Sequence, residues 1–192
     1  MPMQPGRHDF GPDAGRITLR THRDGIAAQA GHDLTIEAAR WSGHIVLAAN
    51  LTPVSLEVRV DMGALVVREG SGGIKPLTDR DKREIAVTAR KVLSADRYPE
   101  LTFIATSFEV GPDGASGTIS GTLSMAGQSR QQQQLRVSET GPGRYRATTA
   151  VRQTDFGVKP YSGFLGALKV SDQVDVEVEL DLGEAAGEEP AG

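Results

Sequence analysis

Hydrophobic and polar positions alternate along much of this chain. Val54, Leu56, Val58 and Val60 are interleaved with Ser55, Glu57, Arg59 and Asp61, and Val174, Val176, Val178, Leu180 and Leu182 with Asp175, Glu177, Glu179 and Asp181. Successive side chains of a strand point to opposite faces, so this spacing predicts strands with one buried and one wetted face. Weaker alternation predicts further strands over 16–21, 32–39, 41–51, 101–110, 117–125, 130–138 and 144–152. The Gly-Pro-Asp-Gly run at Gly111–Gly114 and the Gly-Pro-Gly run at Gly141–Gly143 carry the residues that hairpin turns require, so neighbouring strands should be antiparallel.

One segment has a different period. From Thr78 to about Leu93 the chain opens with an N-cap Thr and acidic residues in the first turn, then places Ile85, Ala89, Val92 and Leu93 on one helical face. A helix of three or four turns is predicted there, ending before Tyr98-Pro99 returns the chain to an extended course. The preceding EGSGGIKPL is read as a mobile glycine-rich loop. Residues 1–15 and the acidic 184–192 have the composition of solvated tails, which leaves one domain over 16–183.

These elements predict an all-β fold with one α-helix. The open edges of such a meander are removed by closure into a lipocalin-like antiparallel β-barrel of about eight strands, wide enough to hold one small ligand. A β-sandwich alternates in the same way and remains the alternative. The 192 residues suit one core, and the 23 glycines fit short strands and tight turns. The chain has no cysteine, which excludes disulfides, thiol catalysis and thiolate-bound metal. A net charge of −4, with both signs mixed along the chain, offers no footprint for nucleic acid. No apolar run is long enough for an integral membrane segment, and the first fifteen residues lack the apolar stretch of a signal peptide, from which a cytoplasmic location is expected.

Five segments in order carry a resemblance: GHDLTIEAARWSGHI, DRYPELTFIATSFE, GTISGTLSMAGQSR, RQTDFGV and VSDQVDVEVEL. Together they resemble the YceI-like family over about residues 16–182. That resemblance implies a lipocalin-like barrel with a helix that binds polyisoprenoid chains in an elongated apolar cavity, without catalysis or cofactor. It also suggests a homodimer, for which the alternating VDVEVELDL would be a suitable edge strand. The sequence departs from the family pattern at GHDLTIE, in a longer loop around GGIKPL, and in the YSGFLGALK insertion after the Phe-Gly motif.

The expected cavity lining is Leu34, Ile36, Trp41, Ile45, Leu56, Val58, Phe103, Leu123, Phe156 and Val176, with Ile85 and Leu93 on the helix and His32 as a polar contact to a ligand head group. The same side chains could instead pack into a dry core, as in a stress-related interaction module. A third reading is a small barrel enzyme using His32 and Asp33 as acid–base or metal groups, joined by His22 and His44 if their strands pair in register. Asp155 is read as satisfying backbone N–H groups in a turn, and Lys75 and Arg83 as a solvated face. No nucleophile elbow, phosphate loop, zinc helix or dinucleotide fingerprint is present.

Overall fold

The computed structural model describes residues 4–183. Among the described residues fourteen strands and one α-helix follow one another: β1 (Gly6–Phe10), β2 (Gly15–Thr21), β3 (Arg23–Asp24), β4 (His32–Ala38), β5 (Trp41–Leu47), β6 (Pro53–Asp61), β7 (Leu65–Gly72), α1 (Asp79–Val92), β8 (Glu100–Val110), β9 (Ser116–Met125), β10 (Gln128–Gly141), β11 (Arg144–Arg152), β12 (Ser162–Gly163), β13 (Leu168–Val170) and β14 (Gln173–Asp181). Eleven of the strands form one antiparallel sheet in the order β1-β5-β6-β8-β9-β10-β11-β14-β2-β4-β7. It is strongly curled, so the antiparallel lipocalin-like expectation holds with eleven strands rather than about eight. The outer strands β1 and β7 share no ladder among the described residues. The chain joins the sheet's two sides through the turns β4–β5 and β6–β7, where backbone bonds continue the ladder on each side, Ala39 N–H donating to Ala64 C=O (2.9 Å) and Asp61 N–H to Arg40 C=O (3.0 Å).

Several expectations are corrected. The stretch read as an N-terminal tail contains β1, which pairs with β5 from Gly6↔Leu47 to Phe10↔Gly43. A single aromatic anchors this polar strand: Phe10 is buried against Trp41, ring centroids 6.2 Å apart. Gly43 makes room for it, since a Cβ there would stand 2.3 Å from the Phe10 ring. The first half of the supposed glycine-rich loop is the end of β7, whose exposed edge lies against α1. The strand proposed for a dimer edge, β14, instead lies between β11 and β2 with both ladders satisfied. The acidic tail expected at 184–192 lies outside the described residues.

The helix is capped as its sequence requires, Thr78 and Asp81 exchanging side-chain-to-backbone bonds at its start. None of its residues is buried. Its apolar face overlies a chamber instead of a packed core, which accounts for that.

Outside the sheet, ion pairs bind neighbouring strands. Burial opposes ionisation of Glu177, whose side chain is only 11% exposed, but Arg146 and Arg20 outweigh it and hold the carboxyl below its ordinary 4.5. Because the folded value is the lower one, this stabilisation is complete above the unfolded value and is lost as pH falls through the folded one. Thermal unfolding should therefore be level from neutrality to about pH 5 and fall at lower pH, and Glu177→Gln should blunt that acid limb. At neutral pH the variant should lose about 1 kcal/mol, since both arginines are half exposed and screened by water. An unchanged acid limb would show that the pair is not holding the carboxylate.

Candidate ligand-binding site

The inward side chains enclose two apolar chambers at opposite ends of the curled sheet. The first, about 800 Å³, is walled by Phe10, Trp41, Ile45, Leu47, Leu56, Val58, Phe108, Ile119, Leu135, Val137, Tyr145, Ala147, Val178, Leu180 and Leu182. Its rim is formed by the hairpin turns near Gly114 and Gly143. The second, about 670 Å³, lies under α1 and is walled by Leu19, Thr21, His32, Leu34, Ile36, Met62, Leu65, Leu101, Met125, Val151, Val174 and Val176, with Ile85, Ala89, Val92 and Leu93 of the helix. Both volumes fall within the range of about 300–1,000 Å³ usual for small-molecule sites.

Between the chambers is a packed waist. Along β6, Leu56 and Val58 line the first chamber and Met62 just beyond the strand lines the second, with buried Val60 between them. Along β8 the buried Phe103 separates Leu101 of the second chamber from Phe108 of the first, and Leu123 on β9 is its register partner. Ile17 and Ala38 are buried in the same core and line neither chamber. Gly121 fits it by having no side chain, because a Cβ would stand 2.5 Å from the Phe103 ring.

The expected lining residues separate accordingly. Trp41, Ile45, Leu56 and Val58 reach the first chamber, while His32, Leu34, Ile36, Ile85, Leu93 and Val176 reach the second. Phe103, Leu123 and Phe156 line neither chamber; they are packed in the core, Phe156 at 2% exposure. Phe108 escaped the alternation rule, which puts residues 103 and 108 on opposite faces. A bulge between Ala105 and Ser107 turns both inward.

The polar groups have definite roles. His32 Nε2 is 2.8 Å from the Lys75 carbonyl and straps the loop after β7 to β4. Asp33, its neighbour on the opposite face, accepts the Arg23 backbone N–H at 2.8 Å, so the two do not form a dyad. His22 pairs with Asp175, and His44 lies across from Asp9, so the three histidines do not converge. Among the described residues no group of three metal-ligating side chains gathers. Asp172, not Asp155, secures the turn after β11, accepting the Thr154 N–H at 2.8 Å and its hydroxyl at 2.6 Å.

Among the polar side chains of the walls that escaped the sequence reading are Tyr145 and Thr21. Burial, with Glu139 nearby, raises the Tyr145 phenol above its usual range and keeps it neutral. Thr21 Oγ1, facing the second chamber, is buried without a hydrogen-bond partner among the described residues. Alternation does place Thr21 on the face of Ile17 and Leu19, but it gives no sign that the hydroxyl there lacks a partner.

A curled antiparallel sheet around apolar chambers, with a helix over one of them, defines a barrel-like protein built to enclose space. The chain belongs to the YceI-like family, whose sequence model matches residues 14–182. No curated protein matches it in sequence. Its fold is similar to that of BcnA from Burkholderia cenocepacia, with TM-score 0.60, 12% identity and coverage of 86% of this chain and 94% of that one. A polyisoprenoid-binding domain from Saccharophagus degradans gives TM-score 0.55, 15% identity and coverage of 92% and 97%. The Campylobacter jejuni YceI protein gives TM-score 0.56, 16% identity and coverage of 76% and 81%. Among the described residues no helix is long and apolar enough to cross a membrane.

Proposed function

We propose that this protein is a non-catalytic carrier of a long apolar lipid, an isoprenoid or a chain of similar cross-section, held within the barrel. The observation that carries the reading is the pair of chambers, whose walls are predominantly aliphatic and aromatic. Each buried methylene contributes roughly 0.8 kcal/mol, so a five-carbon isoprene unit supplies on the order of 3–4 kcal/mol before ordering costs. The similarity to a domain described as polyisoprenoid-binding supports the same ligand class.

The unpartnered Thr21 hydroxyl gives such a ligand an orientation. A buried hydroxyl without a partner is costly, and an oxygen on the ligand's polar end would satisfy it. The polar end then lies under α1, and a chain too long for the helix-side chamber reaches the other only as the packed side chains of the waist move aside.

Native mass spectrometry of the freshly purified protein, followed by denaturing organic extraction, tests the reading. A discrete added mass that partitions into organic solvent is expected. A bare protein whose melting temperature is unmoved by added isoprenoid quinones would overturn it. Thr21→Val should weaken an oxygen-bearing ligand by about two- to tenfold while leaving a pure hydrocarbon unaffected. Equal effects on both would place the polar end elsewhere.

A further inference from the structure

The mouth of the helix-side chamber carries large apolar side chains that face water. Ile26 is 96% exposed, Phe164 72%, and Leu165 fully. They are neighbours in space: Ala27 N–H donates to the Ala167 carbonyl at 2.8 Å, and β13 pairs with β3 through Lys169↔Asp24. Phe164 also forms part of the chamber wall, so this patch is continuous with the interior. The backbone that presents it is itself unusual. Phe164 and Leu165 are consecutive non-glycine residues in the left-handed region, at φ 48° and 54°. That conformation is unfavourable for side chains of this size, and it holds both away from the core.

Cations gather on the rim loops, while Asp33 of β4 stands 3.8 Å from Arg23 and Asp81 and Glu84 of α1 line the same chamber. The segments 22–31, 72–78 and 158–170 contain Arg23, Lys75, Lys159 and Lys169 against one carboxylate, Asp24. Asp24 is turned to its own loop, accepting the Gly25 N–H at 2.6 Å. Among the described residues the three lysines have no ion-pair partner. On α1, Glu84 is paired with Arg80, and Asp81 keeps its charge while accepting the Thr78 hydroxyl at the helix start.

We propose that this rim docks on the surface of an anionic lipid bilayer, with Ile26, Phe164 and Leu165 inserted below the headgroups and the lysines against the phosphates. Apolar tips with lysines on the same loops are the chemistry of interfacial binding. Docked in this way, the chamber opens directly into the acyl region, so a lipid passes between membrane and barrel without crossing water. The site's purpose rests on the carrier reading, but the docking itself is independent of cavity occupancy.

Sedimentation with vesicles of phosphatidylcholine containing phosphatidylglycerol tests it with the full chain. Binding should fall by about tenfold or more in Phe164→Asp/Leu165→Asp, and should also weaken with added salt and with Lys159→Glu/Lys169→Glu. Val54→Asp, removing an apolar side chain that is 61% exposed elsewhere, serves as the matched control and should bind as the parent does. Circular dichroism and ligand retention establish that each variant is folded. Absence of vesicle binding by the parent, an equal loss in Val54→Asp, or concentration-dependent self-association abolished by the double substitution would overturn docking and leave the carrier reading standing. Vesicle binding by a protein that holds no lipid would support docking while the carrier reading fails.

Discussion

Truncating Phe103 to alanine should lower the unfolding free energy by about 3–5 kcal/mol, one of the largest losses expected from any single substitution here. The ring is 5% exposed, is set against Leu123, and fills the space above Gly121. Removing it discards the transfer energy of an aromatic side chain and leaves a void between two existing chambers, so collapse around the site cannot recover much. A folded domain is stable by only about 5–15 kcal/mol, so the melting temperature should drop by many degrees. Phe103→Leu, which keeps more of the volume, should cost appreciably less. A loss under about 1 kcal/mol in the alanine variant would mean that the waist is not a packed layer.

Filling a chamber should have the largest effect on binding. Ala147 on β11 lines the first chamber and Ala89 on α1 the second, and in each case a larger side chain would grow into open space. Ala147→Trp and Ala89→Trp are therefore expected to fold. If the polar end of the ligand lies under α1, Ala89→Trp should weaken short and long isoprenoids alike. Ala147→Trp should spare a short chain and reduce the advantage of a long one. Displacing one isoprene unit should cost on the order of a hundredfold in affinity. Titration of a chain-length series measures this directly. Equal loss for every length in Ala147→Trp would place the whole ligand in the first chamber and reverse the proposed orientation.

Much of the scaffold was legible in the chain. Alternation in β14 and from Leu56 onward in β6 showed which residues point inward, whereas a register shift at the start of β6 leaves Val54 exposed, and Thr78 with the acidic first turn marked the start of α1. Other parts carried no clear signal for identifiable reasons. The strand β1 has one apolar anchor, Phe10, so its local pattern is that of a polar tail. In β7 the alternation of Leu65 and Val67 dissolves into Gly70 and Gly72, residues that suggest a loop. The insertion containing Phe164 and Leu165 has no strand period, and its short strands depend on pairing, β13 with β3 and β12 with β13.

By itself the sequence determined an antiparallel β protein with one helix and five ordered segments of the YceI-like family, because alternation, capping and turn chemistry are local properties. Only the tertiary structure decided that the interior divides into two chambers. That division depends on which inward side chains meet across the sheet, on the bulge that turns Phe108 inward, and on glycines that admit the Phe10 and Phe103 rings. Thr21 acquires its unpartnered, buried hydroxyl in the same way, since burial of one side chain is set by strands distant from it in sequence. The exposed rim of Ile26, Phe164 and Leu165 likewise forms where two separate loops are brought together by the pairing of β3 with β13.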